Sequence, residues 1–267
     1  AIAKLEENLG VGLFDRRRDG MYVTGPGQVL LKRVERALGF LERGALDALN
    51  IGQRKGLKGF GKFDQLLTST QLRALIAVSR AENYSLAARQ IGISQPSLHR
   101  AARDLERVSG IQMFAKVSQG IQLTPAAKAL DQQTRLAIAE MDQGFAEIKE
   151  IKGFDVGQIV VGSLPLARAF VLPDAINRLA KVRPELQVNV VDGPYDDLLH
   201  GLRYGETDVL IGALRDPVPI DDVEQEVLFF NQLAVAVRAG HPLSNKRRVR
   251  SADLARYPWV VPRDGTP

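Results

Sequence analysis

Gln95, Ser97, His99, Arg100 and Arg103 crowd into one short stretch and offer amide, hydroxyl, imidazole and guanidinium groups. Arg reaches phosphates and guanine edges, and Gln reads adenine edges, so this set suits recognition of a nucleic acid. Three consecutive arginines, Arg16, Arg17 and Arg18, and a lone Lys116 add cations placed to reach phosphate. A second candidate site is Ser163-Leu164-Pro165, where a hydroxyl and a helix start could hold a ligand carboxylate. The plainer reading of Ser163 is an N-cap.

These residues need elements to hold them. Ser85 is placed to cap a short helix with Ala87, Ala88 and Ile91 on one face, and Gly92 suits the tight turn after it. Ser94 is placed to cap the next helix, and Pro96 fits a first turn that needs no amide hydrogen. That helix runs to about Val108, burying Leu98, Ala102 and Leu105 and turning His99, Arg100, Arg103 and Arg107 outward. Two short helices, a turn and a basic outer face predict a helix-turn-helix whose second helix enters a major groove.

Residues one hundred positions apart repeat without a gap. Ala1, Leu5, Glu6, Gly10, Phe14, Gly20, Thr24 and Leu30 recur as Ala101, Leu105, Glu106, Gly110, Phe114, Gly120, Thr124 and Leu130, and Gly44 recurs as Gly144. Each copy predicts a wing hairpin (15–23 and 115–123), then a long helix capped by Thr24 or Thr124. One apolar seam runs through Leu30, Val34, Ala37, Leu41, Ala45 and Leu49; the other through Leu130, Thr134, Ala137, Met141, Gly144, Ile148 and Ile151. Such seams pack helix on helix. Between the copies, residues 51–62 are rich in Gly and Lys and read as a flexible basic linker.

Asn83-Tyr84-Ser85-Leu86-Ala87-Ala88, Ile93-Ser94-Gln95-Pro96-Ser97-Leu98, Leu105-Glu106 and Gly110-Ile111-Gln112-Met113-Phe114 together resemble the signature of LysR-type transcriptional regulators. The match is tight over 63–124 and looser elsewhere. It implies DNA contacts from Ser94, Gln95, Pro96, Ser97, His99, Arg100 and Arg103, steadied by Lys116 and the arginines of the first wing. It also implies pairing through the long helices, either between two chains as a homo-oligomer or within one chain as a pseudo-dimer. Ala102, His99, Lys116 and Ala127 depart from the family's usual residues, which leaves the target sequence open.

From Gly157 the pattern changes to alternating strands (158–162, 186–191, 208–213) and helices (170–181, 195–204), which predicts a parallel α/β sheet. One or two strands at 226–238, a short helix at 251–255 and a strand at 259–261 follow. This half resembles the start of the periplasmic-binding-protein-like effector domain of the same family. The resemblance implies a small-molecule effector, carboxylate or sugar-like, near Ser163, Leu164 and Pro165, with Gly212 and Ala213 as the opposite rim.

The expected fold is therefore α/β plus all-α and multidomain. Residues 1–62 are a truncated first winged unit with its helix and connector, 63–125 a complete unit, 126–153 its linker helix, and 154–267 part of the effector domain. The chain starts inside a helical pattern without Met and stops just after a strand-like run, which reads as a fragment. Net charge is +5, but 1–153 carry 23 basic against 16 acidic residues, while 154–267 carry 13 against 15. The basic half suits double-stranded DNA and the rest does not. With no cysteine and three scattered histidines, neither a metal nor a cofactor is expected. No apolar run is long enough for a membrane span, so a cytoplasmic protein is expected. Catalysis is not expected either: there is no G-x-S-x-G elbow, Walker loop or H-E-x-x-H. The competing reading is a solute- or sugar-sensing module whose helices serve only assembly; it predicts no specific DNA binding.

Overall fold

In the computed structural model, which describes residues 2–52, 60–118, 120–151, 153, 157–230, 232 and 234–261, local chemistry sets most element boundaries. α1 (Ile2–Leu9) stops at Gly10, whose φ of 64° is left-handed, and β1 (Phe14–Arg17) folds back on β2 (Gly20–Val23). Thr24 caps α2 (Gly25–Ile51), its Oγ1 accepting from the Gly27 amide at 3.1 Å. A 3₁₀ turn at Phe63–Leu66 leads into α3 (Ser69–Ala81), α4 (Tyr84–Gln90) and α5 (Gln95–Ser109). β3 (Phe114–Val117), β4 (Gly120–Leu123) and α6 (Pro125–Ile151) then repeat the earlier hairpin and long helix. Residues 53–59 of the expected connector lie outside the described residues.

The hundred-residue spacing holds atom by atom. Glu106 Oε1 accepts from the amides of Met113 (2.9 Å) and Phe114 (3.1 Å); Glu6 Oε1 accepts from those of Leu13 (2.8 Å) and Phe14 (3.1 Å). Thr124 Oγ1 donates to Gln112 O at 2.8 Å, and Thr24 Oγ1 to Gly12 O at 2.7 Å. Phe14 faces Val23 as Phe114 faces Leu123. Each helix end is thus tied by a carboxylate to the start of its hairpin, which satisfies amides that would otherwise be unpaired.

α2 and α6 run antiparallel along each other. A Cβ at Gly44 would stand 2.7 Å from Gln133 Cβ, and one at Gly144 3.1 Å from Arg33 Cβ, so both glycines allow close approach. The two contacts exchange under the shift of one hundred, as an approximate two-fold axis requires. Each helix also completes the other copy's core. Ile148 of α6 packs with Leu13 and Leu30, and Ala45 and Ala48 of α2 belong to the core of Leu105, Ile111, Met113 and Leu130. The seams follow the expected residues except at Ile151, which is 54% exposed.

β5 (Gln158–Ser163) is followed by α7 (Pro165–Arg168) and α8 (Val171–Val182), then by β6 (Gln187–Asp192), α9 (Tyr195–Arg203) and β7 (Val209–Ile211). The sheet is parallel, in the order β6-β5-β7. Residues Ala1–Gly212 make one compact unit and Ala213–Pro267 a second. The second contains α10 (Ser251–Leu254). The strands expected at 226–238 and 259–261 are not formed among the described residues there. Apolar sequence alone does not make a strand, because its backbone groups need a neighbouring ladder, and no described strand pairs with these segments. No helix of the described residues is long and apolar enough to cross a membrane.

Replacing Glu106 by Ala removes the acceptor of two amides and should cost about 2 kcal/mol, read as a lower urea midpoint at unchanged slope. Glu106→Gln, which keeps one oxygen, should cost less. Equal midpoints for parent and Glu106→Ala would show that this tie contributes nothing.

Candidate nucleic-acid interface and ligand loop

α3 begins with a reciprocal cap. Thr68 Oγ1 accepts from the Gln71 amide, and Gln71 Oε1 accepts from the Thr68 amide at 2.8 Å. The next cap differs from the expected one: Asn83, not Ser85, heads α4, with Oδ1 accepting from the amides of Ser85 (2.9 Å) and Leu86 (3.1 Å). Both are good cap types, but the chain reverses at Glu82 (φ 49°), one residue before Asn83, and so places the asparagine first. Gly92 takes the turn at φ 70°. Ser94 caps α5 and Pro96 sits in its first turn, as expected.

α5 is anchored by Leu98, Ala101, Ala102, Leu105 and Val108, all buried. Its other face carries Ser94, Gln95, Pro96, Ser97, Arg100 and Arg103, all exposed. Ser94 and Ser97 hydroxyls lie 2.8 Å apart, and Ser85 Oγ donates to Gln95 Oε1 at 2.9 Å. Arg100 and Arg103 make no ion pair among the described residues, whereas Arg107 is held by Asp104 at 3.2 Å. The structure therefore brings together a row of polar groups ending in two unengaged guanidinium groups.

His99 does not simply point outward. Its ring lies 3.8 Å from that of Tyr84, tilted by 38°, and it is only half-exposed. Burial holds its pKa below the ordinary value of 6.5, and the nearby charges of Arg103 and Lys116 depress it further. Burial, with Glu106 nearby, pushes the Tyr84 hydroxyl up to about 12. Helical spacing cannot reveal this stack, because Tyr84 belongs to the preceding helix.

The second wing is docked. Gly120 has φ 149°, a Cβ there would stand 2.4 Å from Glu82 O, and the Ile121 amide donates to that oxygen at 3.0 Å. Only glycine fits this close approach. Lys116 stands exposed on this hairpin. In the first wing Arg17 is bound to Asp15 at 2.8 Å and lies over the Tyr22 ring, and Arg16 is 4.0 Å from Glu6. Arg18 has no ion partner among the described residues, so the three arginines are not equivalent.

At the α/β end, Ser163 closes β5 beside Asp192 and Ile211. Leu164, not Ser163, takes the cap position of α7, and no side chain caps that helix. The Leu164 amide is drawn instead to Ile211 O at 2.9 Å. Ser163 is fully buried, with Oγ donating to Leu164 O at 3.3 Å. Leu164 also covers Gly212, where a Cβ would meet its Cδ1 at 2.3 Å, so that glycine serves packing rather than an open rim. Ala213 belongs to the second compact unit. A cavity of about 350 Å³ lies nearby, lined by Asp192, Gly193, Pro194, Asp197, Glu206 and Thr207 among others. Of its three carboxylates, Asp192 is paired with Arg168 at 2.9 Å and Glu206 with Arg80 and Arg135, so Asp197 is the one placed to accept a hydrogen bond from a ligand.

One polar cluster was not legible in the sequence. Glu206, just after α9, accepts from Arg80 of α3 at 2.9 Å and from Arg135 of α6 at 3.0 Å. Arg135 also binds Asp131 at 3.1 Å, and Ser79 Oγ donates to Asp131 Oδ2 at 2.8 Å. Partners 52 and 71 positions apart leave no local signal. Among the described residues, no group of His, Asp and Glu could hold a metal.

Comparison with known proteins agrees with this geometry. Residues 69–128 match the model for the bacterial regulatory helix-turn-helix protein, lysR family, and residues 152–267 that for the LysR substrate binding domain. The HTH-type transcriptional regulator GalR of Pseudomonas putida is 33% identical over 268 residues, covering 100% of this chain and 65% of that protein. An uncharacterized HTH-type regulator of Escherichia coli, YdcI, is 31% identical over 207 residues, covering 76% of this chain and 66% of its own. The chain thus spans just under two thirds of the length of these relatives. Oxidized OxyR of Corynebacterium glutamicum is a structural match at 26% identity and TM-score 0.33, covering 63% of this chain and 49% of that one.

The depressed His99 pKa has a sign that can be checked. The folded state binds the imidazole proton less readily than the unfolded chain, so this contribution to stability is present above pH 6.5 and is lost as pH falls through the folded pKa. NMR titration should place the His99 midpoint below 6.5, and Arg103→Ala should move it upward. A midpoint at or above 6.5 would contradict the stacked, partly buried ring.

Proposed function

Because the chain belongs to the LysR family of transcriptional regulators, we propose that it binds double-stranded DNA site-specifically and that a small molecule adjusts how it does so. The observation that carries this reading is the exposed row Gln95, Ser97, Arg100 and Arg103 on a helix anchored by its opposite face. Gln95 and Arg100 read base edges, Arg103 contacts phosphate, and Ser94, Pro96 and Ser97 bring the start of α5 close to the backbone. His99 is neutral near pH 7 and acts through its stack on Tyr84 or as a hydrogen-bonding group, not as a cation. Lys116, and on the first wing Arg18 more than Arg16 or Arg17, supply phosphate contacts.

Residues 1–62 and 63–125 serve as two winged units, 126–153 as the second unit's linker helix, and 154–267 as part of the effector-binding region. The effector binds at the carboxyl ends of β5 and β6, close to Ser163, Leu164 and Pro165, where open α/β sheets place ligands. Asp197 on the wall of the cavity, an acceptor for hydroxyl groups, favours a hydroxyl-rich, sugar-like ligand over a carboxylate. Action in the cytoplasm, where DNA is at hand, goes with this role. Thermal-shift screening of simple sugars and carboxylic acids on the full-length protein tests the ligand class. A shift seen only with carboxylic acids would overturn the preference for a sugar.

Footprinting on the DNA upstream of the protein's own gene tests the main reading. Arg100→Ala should weaken binding by about 1–3 kcal/mol and relax specificity at one base pair. Arg18→Ala should instead weaken binding to all sequences and lower the salt slope by about one. Unchanged affinity in both Arg100→Ala and Gln95→Ala would remove α5 from the interface and favour a sensing module that does not read DNA.

A further inference from the structure

The charges along the α2–α6 seam are not symmetric, although the helices that carry them are repeats of each other. Arg33 Nη1 donates to Glu140 Oε2 at 2.7 Å and to Gln143 Oε1 at 2.8 Å, and Nη2 pairs with Glu147. Arg36 reaches the second oxygen of Glu140 at 2.9 Å. Arg33 and Glu140 are 17% and 10% exposed, whereas Arg36 (53%) and Glu147 (40%) stand in solvent, so the desolvated heart of the cluster is the Arg33–Glu140 pair. A shift of one hundred carries Arg33 and Arg36 onto Gln133 and Leu136, and carries Glu140, Gln143 and Glu147 back onto Phe40, Arg43 and Asp47. All the cations of the cluster are on α2, and both its carboxylates are on α6.

The two like-with-like pairings can be read from the same geometry. Two copies of α2 would set Arg33 against Phe40, Arg43 and Asp47: the buried carboxylate Glu140 and the amide are replaced by a ring and a like charge, and only the more exposed carboxylate is kept, as Asp47. Two copies of α6 would set Glu140 and Glu147 against Gln133 and Leu136, leaving Glu140 desolvated with no cation. An unpaired buried charge is strongly unfavourable, while the mixed pair satisfies every charge of the cluster. The apolar seam, which is similar in the two helices, does not distinguish the three pairings. The charges do.

We infer that Arg33 and Arg36 on α2, with Glu140 and Glu147 on α6, form a pairing code that joins the two unlike linker helices of one chain and rejects pairing between two like helices. A single polypeptide then carries a complete, unequal pair of winged units. This code stands independently of any DNA role. Its consequence, a preferred DNA site that is not a palindrome, rests on the proposed function.

Charge reversal in the full-length protein tests the code and also separates pairing within a chain from pairing between chains. One variant carries Arg33→Glu with Arg36→Glu, a second carries Glu140→Arg with Glu147→Arg, and a third carries all four. The first two should each melt lower than the parent by about 5 °C or more. The third should recover most of the loss, because its charges are exchanged but complementary. Co-refolding the first two variants together from urea is the decisive measurement. Complementary helices then exist only on different chains, so pairing confined to one chain predicts no recovery. Three results would overturn the inference: melting of the single-helix variants with the parent, failure of the four-fold variant to recover, or recovery in the co-refolded mixture. Melting is read without DNA, so a failed footprint and a failed code give different results.

Discussion

The close antiparallel crossing of α2 and α6 is the constraint on which the rest of the first unit depends. It exists because Gly44 and Gly144 present no side chain where the other helix passes. Through it each long helix reaches into the other repeat's core, Ile148 beside Leu13 and Leu30, Ala45 and Ala48 beside Ile111 and Leu130. Neither repeat closes its own hydrophobic cluster without the other's helix. The arrangement resembles an exchange of elements between subunits, carried out inside one chain. Opening the crossing would expose apolar surface in both repeats at once, so the two are coupled in stability as well as in position.

A second tie links the repeat to the α/β sheet region. Glu206 holds Arg80 of α3 and Arg135 of α6 together, and Arg135 in turn faces the buried Asp131. Burial raises the Asp131 pKa even though Arg135, Ser79 and Arg80 oppose the shift, so desolvation outweighs the pairing. Such a pair is weak evidence for stability and better evidence for register. Here it fixes the turn after α9 against the winged unit, assisted by Gly205, whose φ of 69° lets the turn lie close to Leu136 and Ala139. α3 and the turn after α9 thus meet at α6.

What the sequence disclosed was whatever is local or periodic. Ser94, Pro96, Gly92 and the two threonine caps were legible because a cap or a turn is decided within four residues. The repeat was legible because it preserves spacing, and the parallel sheet because strand and helix periods differ. Side-chain partners from other elements were not. Asn83 outcompeted Ser85 through the position of the Glu82 turn, His99 found Tyr84, and Arg17 found Asp15 and Tyr22. The segments at 226–238 and 259–261 have the composition of strands, but composition does not supply the neighbour that a strand requires. Ser163 was misplaced by one residue for a similar reason: the β5–β7 ladder extends one step past the strand and takes the Leu164 amide.

The two repeats differ in a way that follows from how they are held. Residues that fix the backbone are kept: Glu6 and Glu106, Thr24 and Thr124, Gly20 and Gly120, Gly44 and Gly144. Those that stand on the outside of the wing are not: Arg16-Arg17-Arg18 in the first copy corresponds to Lys116-Val117-Ser118 in the second. The hairpin geometry is set by a carboxylate, a hydroxyl and a register of paired strands, none of which needs the outward side chains. Outer residues can therefore change without cost to the frame. The first wing carries three cations where the second carries one, so the two present different potentials from the same backbone shape. A duplicated unit held this way is free to diverge on its outer face, while the glycine crossing and the exchanged core residues hold the two unlike copies together.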